Sequence, residues 1–183
     1  LAIFARIAGA RLTLNELAET RHALLGHLFP EAVVSDHDAA SLDDRLDRTI
    51  TPSVIVMNPP FSAANHVEGR FRQATSQHVL SALARLAPGG RLVIITGESF
   101  RPSTKSFQST FQRIGQSADV VFSAAIDGKV FARHGTTIDT RLTVIDKRVV
   151  GAEEIAPVDV EAAYHPICAT TGDLLSEVLT HCP

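Results

Sequence analysis

The sequence predicts an α/β fold in three layers, a mostly parallel sheet with helices on both faces. Three observations predict it. Short apolar runs rich in β-branched residues, VIVM at 54–57 and RLVIIT at 91–96, read as strands buried on both faces. Stretches between the strands carry helical periodicity, clearest over 70–87, where Phe71, Ala74, Ala82, Leu83 and Leu86 fall on one face. Late in the chain two strands, 119–125 and 140–146, are joined by a loop without a helix, which makes an antiparallel pair at the sheet edge.

Taken in order, residues 1–8 are short, apolar and alanine-containing, with Gly9 as a natural helix stop. Residues 11–15 alternate as a strand does, and Glu16 stands at the end. Residues 17–28 read as a helix closed by Phe29-Pro30; its His22 and His27 are five apart, which does not put two ligands on one helix face. Residues 32–35 form the next strand, and a connector of mixed charge over 41–49 leads to the strand at 54–57. After that strand, residues 62–68 are polar and suit a lip over a site. Pro88-Gly89-Gly90 ends the helix over 70–87, and residues 103–115 suit another helix. Gly128, Gly135 and the polar residues between them form the late loop; its His134 reads as structural or surface rather than catalytic. Beyond Lys147 the alternation fades. The chain therefore divides into a domain over 1–147 and a linker, or the start of a following domain, over 148–183.

The stretch that carries chemistry is Val54-Ile55-Val56-Met57-Asn58-Pro59-Pro60-Phe61. The strand stops at an amide followed by two prolines, where ladder hydrogen bonds cannot continue. Asn58 is biased toward extended backbone by the proline after it. The result is a rigid turn at the carboxyl end of a strand, where open α/β sheets keep their ligand sites. Asn58 offers an amide oxygen, Pro59 a carbonyl and Phe61 a flat apolar face. Two acceptors and a ring suit a planar group bearing an NH2, with both amino hydrogens accepted and the ring stacked. An ordinary Pro-Pro turn is the bland alternative. Glu16, one helix before the next strand, occupies the place where nucleotide-binding α/β folds bind a ribose; the alternative is an acid favourable in the first turn of the helix that follows.

Asn58-Pro59-Pro60-Phe61 resembles the (N/D)PP(Y/F) motif of class I S-adenosylmethionine-dependent amino-methyltransferases, which include adenine-N6 DNA methylases, guanine-N2 ribosomal RNA methylases and protein-glutamine methylases. The longer runs NPPFSAANHVEGR at 58–70, LAPGGRL at 86–92 and FARHGT at 131–136 are similar to the methyltransferase region that precedes a strawberry-notch-type helicase. The resemblance covers 1–147 and implies a Rossmann-like three-layer α/β/α sandwich. It implies catalytic Asn58, Pro59, Pro60 and Phe61, and cofactor contacts from Glu16, Asp38, Ala39 and Asn58 to S-adenosylmethionine. In that family an acid following the 32–35 strand accepts from the adenine amino group; Asp38-Ala39 fits the pattern better than Asp36, with a helix cap as the alternative. The implied reaction is methyl transfer to an exocyclic amino group, adenine N6 in DNA first, with RNA guanine N2 and protein glutamine as alternatives. DNA more than RNA, and a helicase-like neighbour in the parent chain, are the implied partners. A catalytically silent nucleic-acid-binding or docking module is the competing reading. A Rossmann oxidoreductase leaves the Asn58 motif unexplained.

The chain departs from the family in one respect: no G-x-G occurs in its 183 residues. The first strand and its glycine loop are expected upstream of Leu1, between the strands at 11–15 and 54–57. The stretch by itself is then expected to be poorly stable, to bind cofactor weakly or not at all, and to be inactive alone.

Composition sets the remaining bounds. With 45% hydrophobic residues the chain can bury a real core, and no apolar run approaches the roughly 18 residues of a membrane span. No signal peptide is visible. Cys168 and Cys182 have no metal-type spacing, so neither a disulfide framework nor a zinc site is expected, and a reducing cytoplasm fits. A net charge of −3 excludes a polyanion binder of the histone kind. Nucleic-acid contact must come from a local patch, with Arg70 and Arg72, Arg101 and Lys105, and Lys129 and Arg133 as candidates against a default of solvated surface charge.

Overall fold

The computed structural model describes residues 1–60, 68–149, 151 and 163–182, with side chains for all of these except 68–72 and 134. Its helices are α1 (Ala2–Ile7), α2 (Glu19–Leu28), α3 (Leu42–Arg45), α4 (Glu68–Arg85), α5 (Gln108–Ile114) and α6 (Thr171–His181). Its strands are β1 (Thr13–Asn15), β2 (Val33–Ser35), β3 (Val54–Met57), β4 (Arg91–Gly97), β5 (Ala118–Ile126), β6 (Thr140–Lys147) and β7 (Tyr164–Cys168). Tighter 3-10 turns lie at Ala39–Ser41, Lys105–Phe107 and Gly128–His134, the last winding through the stretch read as a loop.

Among the described residues the strands form two sheets: β1 beside β2, and a larger sheet in the order β3-β4-β6-β5-β7. β1 runs parallel to β2 and β3 parallel to β4, while β6 runs antiparallel to both β4 and β5. The expected three-layer α/β arrangement forms, with one correction. The antiparallel pair β5–β6 is internal, because β7 adds parallel to β5 and takes the edge. Where the sequence reads as a linker, residues 164–181 supply this strand and a helix packed beside it. Thr170 and Asp173 form a capping box that starts α6.

One face of the larger sheet is covered by α4 and α5: Val79, Ala82, Leu83, Leu86 and Ile114 are buried against Leu92, Ile94 and Ile145. On the other face Phe122, Ala124, Val144 and Cys168 pack with Leu174 and Val178 of α6. A register shift between Val120 and Phe122 lets β5 serve both layers. Before it Ala118 and Val120 belong to the α4 side; after it Phe122 and Ala124 belong to the α6 side.

Local chemistry fixes how α4 meets β4. Gly89 has φ +74, and a Cβ on Gly90 would stand 2.8 Å from the Ser53 carbonyl, so the Pro-Gly-Gly connection leaves no room for a side chain there. Lys147 Nζ, at the end of β6, donates to the carbonyls of Leu83, Ala84 and Leu86 at 2.9, 3.1 and 2.7 Å, satisfying the free end of the helix.

The expectation that β3 is buried on both faces does not hold. Ile55 and Met57 pack against the core, but Val54 and Val56 are 56% and 48% exposed. β3 is an edge strand here, and among the described residues nothing covers its second face. β4 likewise alternates, with Leu92, Ile94 and Thr96 buried and their neighbours partly open. Within residues 1–60 the buried hydrophobic side chains are Phe29 and Leu46, while Phe4 and Ile7 of α1 are 73% and 76% exposed. Among the described residues no helix is long and apolar enough to cross a membrane.

Candidate active site at the strand ends

β3 delivers Asn58 directly to its carboxyl end. Asn58 is exposed and, among the described residues, has no hydrogen-bond partner; Pro59 behind it is buried. The Pro60 carbonyl accepts a hydrogen bond of 2.9 Å from Thr75 Oγ1, and Thr75 is itself buried on α4. The turn is therefore clamped on its inner side and leaves an amide free on its outer side. Phe61, the ring expected to complete the set, lies outside the described residues, as do residues 62–67 of the lip expected over 62–68; Glu68 opens α4.

Glu16 follows β1, and its amide donates to the Ser35 carbonyl at 3.0 Å, extending the β1–β2 pairing by one step. Its Oε1 accepts from the Ala18 amide and from the Arg21 guanidinium, both at 2.9 Å. The Arg21 hydrogen bond first, and the Ala18 amide second, hold this carboxyl below its usual range, so it is ionised at neutral pH. Glu16 thus anchors the start of α2 through Oε1, while Oε2 has no partner among the described residues. Beside it, Asn15 ties the two strand ends together. Its Oδ1 accepts from the His37 amide at 3.0 Å and from Ser35 Oγ at 2.9 Å, while Nδ2 donates to the His37 carbonyl at 2.9 Å.

Asp38 caps the 3-10 turn that begins at Ala39, its Oδ1 accepting from the Ala40 amide at 2.9 Å. The capping alternative is thus what forms, and it leaves the carboxylate exposed beside a half-buried Ala39. His78 Nε2 of α4 stands 3.8 Å from Asp38 Oδ1. Burial pushes the His78 imidazole down, and the Asp38 carboxylate draws it partly back.

What brings these strand ends together is a polar seam along α4 at Thr75, His78, Ser81 and Arg85, spaced as neighbours on one helix face. Thr75 holds Pro60 and His78 faces Asp38. Ser81 Oγ donates to Asp43 Oδ1 at 2.6 Å and accepts from the Asp43 amide at 3.0 Å; Arg85 donates to the Asp47 carbonyl. The seam docks the connector between Asp38 and Asp47, which reads from sequence as a plain mixed-charge stretch. Its signal in the sequence is the polar i, i+3, i+6 spacing along one helix.

β4 ends at the same rim, since Met57 pairs with Ile94 and the strands run parallel. There Arg141 is 4% exposed. It donates to the Glu98 carbonyl at 3.0 Å and to Ser123 Oγ at 3.1 Å, with the Glu98 carboxylate 3.4 Å away. Arg101 pairs with the same Glu98 at 3.1 Å, and Lys129 stands 3.9 Å from Asp127. Two candidate basic groups are thus partly neutralised by near neighbours. The side chains of Arg70, Arg72 and His134 lie outside the described residues.

No protein-family model matches the chain, and no curated protein matches it. Solved structures do. A Listeria monocytogenes structure assigned as a class I S-adenosylmethionine-dependent methyltransferase superposes with TM-score 0.68 at 11% identity, over 94% of this chain and 56% of its own. A Vibrio vulnificus structure assigned as a type I restriction enzyme modification subunit gives 0.55 at 13% identity, over 74% and 32%. The N-methyltransferase NodS of Bradyrhizobium japonicum, in complex with S-adenosylhomocysteine, gives 0.51 at 13% identity, over 80% and 72%. The chain thus spans only 56% and 32% of the first two. At these identities the likeness is one of architecture: the chain has the Rossmann-like α/β fold of the class I methyltransferases.

Proposed function

We propose that this chain takes part in methyl transfer from S-adenosylmethionine to an exocyclic amino group, with adenine N6 in DNA as the preferred target. The observation that carries the reading is the Asn58-Pro59-Pro60 turn: an exposed amide at the carboxyl end of a parallel strand, clamped from behind by Thr75. The residues present fit the cofactor. Glu16 is an ionised carboxylate with one oxygen open to ribose hydroxyls, and Asp38 is an exposed carboxylate suited to an adenine amino group. The cofactor supplies a methyl group already activated as a sulfonium.

The residues of this chain then do the positioning. The Asn58 amide oxygen and the Pro59 carbonyl accept the two hydrogens of the target amine, which turns the nitrogen toward tetrahedral geometry and aims its lone pair. With Asn58 and Pro59 holding the amine and Glu16 and Asp38 the cofactor, the sulfonium would supply the methyl group, leaving its bonding pair on sulfur, and the amine's surplus proton would pass to solvent. Rate comes mainly from alignment, since the donor needs no further activation. A base in duplex DNA has to leave the stack to reach this turn. The modification subunit among the structures of this fold supports DNA as the first substrate to try.

The test is tritium transfer from labelled S-adenosylmethionine to adenine-containing duplexes, RNA and glutamine peptides, using the protein at its natural length. Asn58→Ala is expected to lower transfer by about 100-fold or more. Glu16→Ala is expected to weaken cofactor binding measured by calorimetry. Transfer to RNA or peptide alone would move the substrate. Absence of cofactor binding would overturn the enzyme reading and leave a docking module.

A further inference from the structure

At the edge of the sheet opposite β3, three side chains converge that the methyl-transfer reading does not use. His165 lies on β7, and Glu177 and His181 lie one turn apart on α6. His165 Nδ1 is 3.0 Å from Glu177 Oε2, and His181 Nε2 is 3.7 Å from the same oxygen. The three donor atoms all fall within 4.8 Å of one another. Glu and His at i and i+4 share one helix face, and the strand supplies the third donor from across the helix–sheet seam. His165 is held in place, stacked on buried Phe122 with ring centroids 4.8 Å apart, and its side chain is 13% exposed. The His181 side chain is 48% exposed, with its ring 4.6 Å from that of His165.

We propose that His165, Glu177 and His181 form a zinc-class transition-metal site that clips α6 to the edge strand β7. Donors around a tetrahedral ion with bonds of about 2.0–2.1 Å stand about 3.3 Å apart, so the His165–Glu177 pair is already spaced for one. His181 has to approach by at most about 1.5 Å in the same terms, and its exposure leaves it free to swing. Two imidazoles and one carboxylate select Zn2+ and its neighbours in the first transition row over Mg2+ and Ca2+, which favour all-oxygen shells. The carboxylate offsets one of the ion's two charges, and a water completes the fourth position at the open side. To bind the ion, His165 has to present the Nδ1 lone pair, so Nδ1 carries no proton in the metal-bound form. The sequence hides this site because its third ligand comes from a strand, and Cys168 and Cys182 draw attention to themselves instead. Cys168, buried at the end of β7, is not among the side chains that converge here.

The test is Zn2+ titration by calorimetry on chelator-treated full chain, with Mg2+ as the control. One Zn2+ per chain with micromolar affinity is expected, together with slower amide exchange across α6 and no Mg2+ binding. His181→Asn and Glu177→Gln, both at accessible positions, are each expected to weaken Zn2+ binding by at least about tenfold while leaving circular dichroism unchanged. Co2+ in place of Zn2+ is expected to show visible absorption bands that are lost in both variants. Unsaturable Zn2+ binding, or equal affinity in the wild type and in the two variants, would overturn the proposal.

Discussion

The Thr75 hydroxyl lies 2.9 Å from the Pro60 carbonyl, a bond from the middle of α4 to the turn that follows β3. One residue of a helix thus fixes the backbone immediately behind the exposed Asn58. Thr75→Val keeps the side-chain shape and removes the donor. It is expected to cost about 1 kcal/mol in urea unfolding. The effect on methyl transfer should exceed any effect on cofactor affinity, because Thr75 acts on the amine-binding turn and not on Glu16 or Asp38. An unchanged transfer rate would mean that the turn holds its shape without the clamp.

Glu16 makes stability depend on acid in a defined direction. Its carboxyl is held below the ordinary value of 4.5 by Arg21 and the Ala18 amide, so its stabilising contribution is complete above that pH and is lost as the pH falls through the lowered value. Glu16→Gln should therefore lower the unfolding midpoint near neutrality, and the gap from wild type should close in acid. The gap will be small, because the Arg21 side chain is 69% exposed and the pair is screened. A gap that widened as pH fell would reverse the assigned sign.

Gly128 opens the loop between β5 and β6, where its amide donates to Asp139 Oδ1 at 2.8 Å. A Cβ placed on it would stand 2.0 Å from the Thr137 carbonyl oxygen, closer than any side chain tolerates. Gly128→Ala is expected to destabilise by about 1–3 kcal/mol through the backbone shift it forces. Equal stability in a thermal melt would show that the two backbone segments separate without cost.

Amide exchange should divide the molecule. Leu92, Ile94 and Ile145 are fully buried, whereas β1 and β2 are short, paired among the described residues only with each other, and backed by helices that carry exposed Phe4, Ile7 and Leu24. Exchange in β1, β2 and α1 is expected to be faster than in β4, β5 and β6 by at least about a hundredfold. Uniform protection would mean that the smaller sheet is held by contacts other than those described.

The elements around the motif were legible because each is specified locally. Pro59 and Pro60 stop β3, Gly89 and Gly90 separate α4 from β4, and the late strands lack a helix between them. Burial was less legible. Val54 and Val56 are β-branched, which favours a strand, but residue type does not say whether a second layer covers that strand. The polar seam is not legible in the sequence because Thr75, Ser81 and Arg85 belong to no motif, and their role emerges only when the connector between Asp38 and Asp47 folds back onto α4. β7 and α6 were missed for a related reason: Tyr164-His165-Pro166 has little strand character until Ser123 and Ala124 offer an edge to pair with.

The irregularity between Val120 and Phe122 has a further consequence for how this chain tolerates change. Side chains on a strand have a parity, and one extra residue reverses it for everything that follows. Deleting Val121 would let Phe122 follow Val120 directly and so face the opposite way from it, which keeps Phe122 and Ala124 on the α6 side, where Leu174 and Val178 rest. Substitutions at Val121, which is half-buried, leave that parity intact. The far layer of the molecule is therefore expected to tolerate the loss of this one residue, and a chain lacking Val121 should keep α6 docked while β4 and α4 stay folded together.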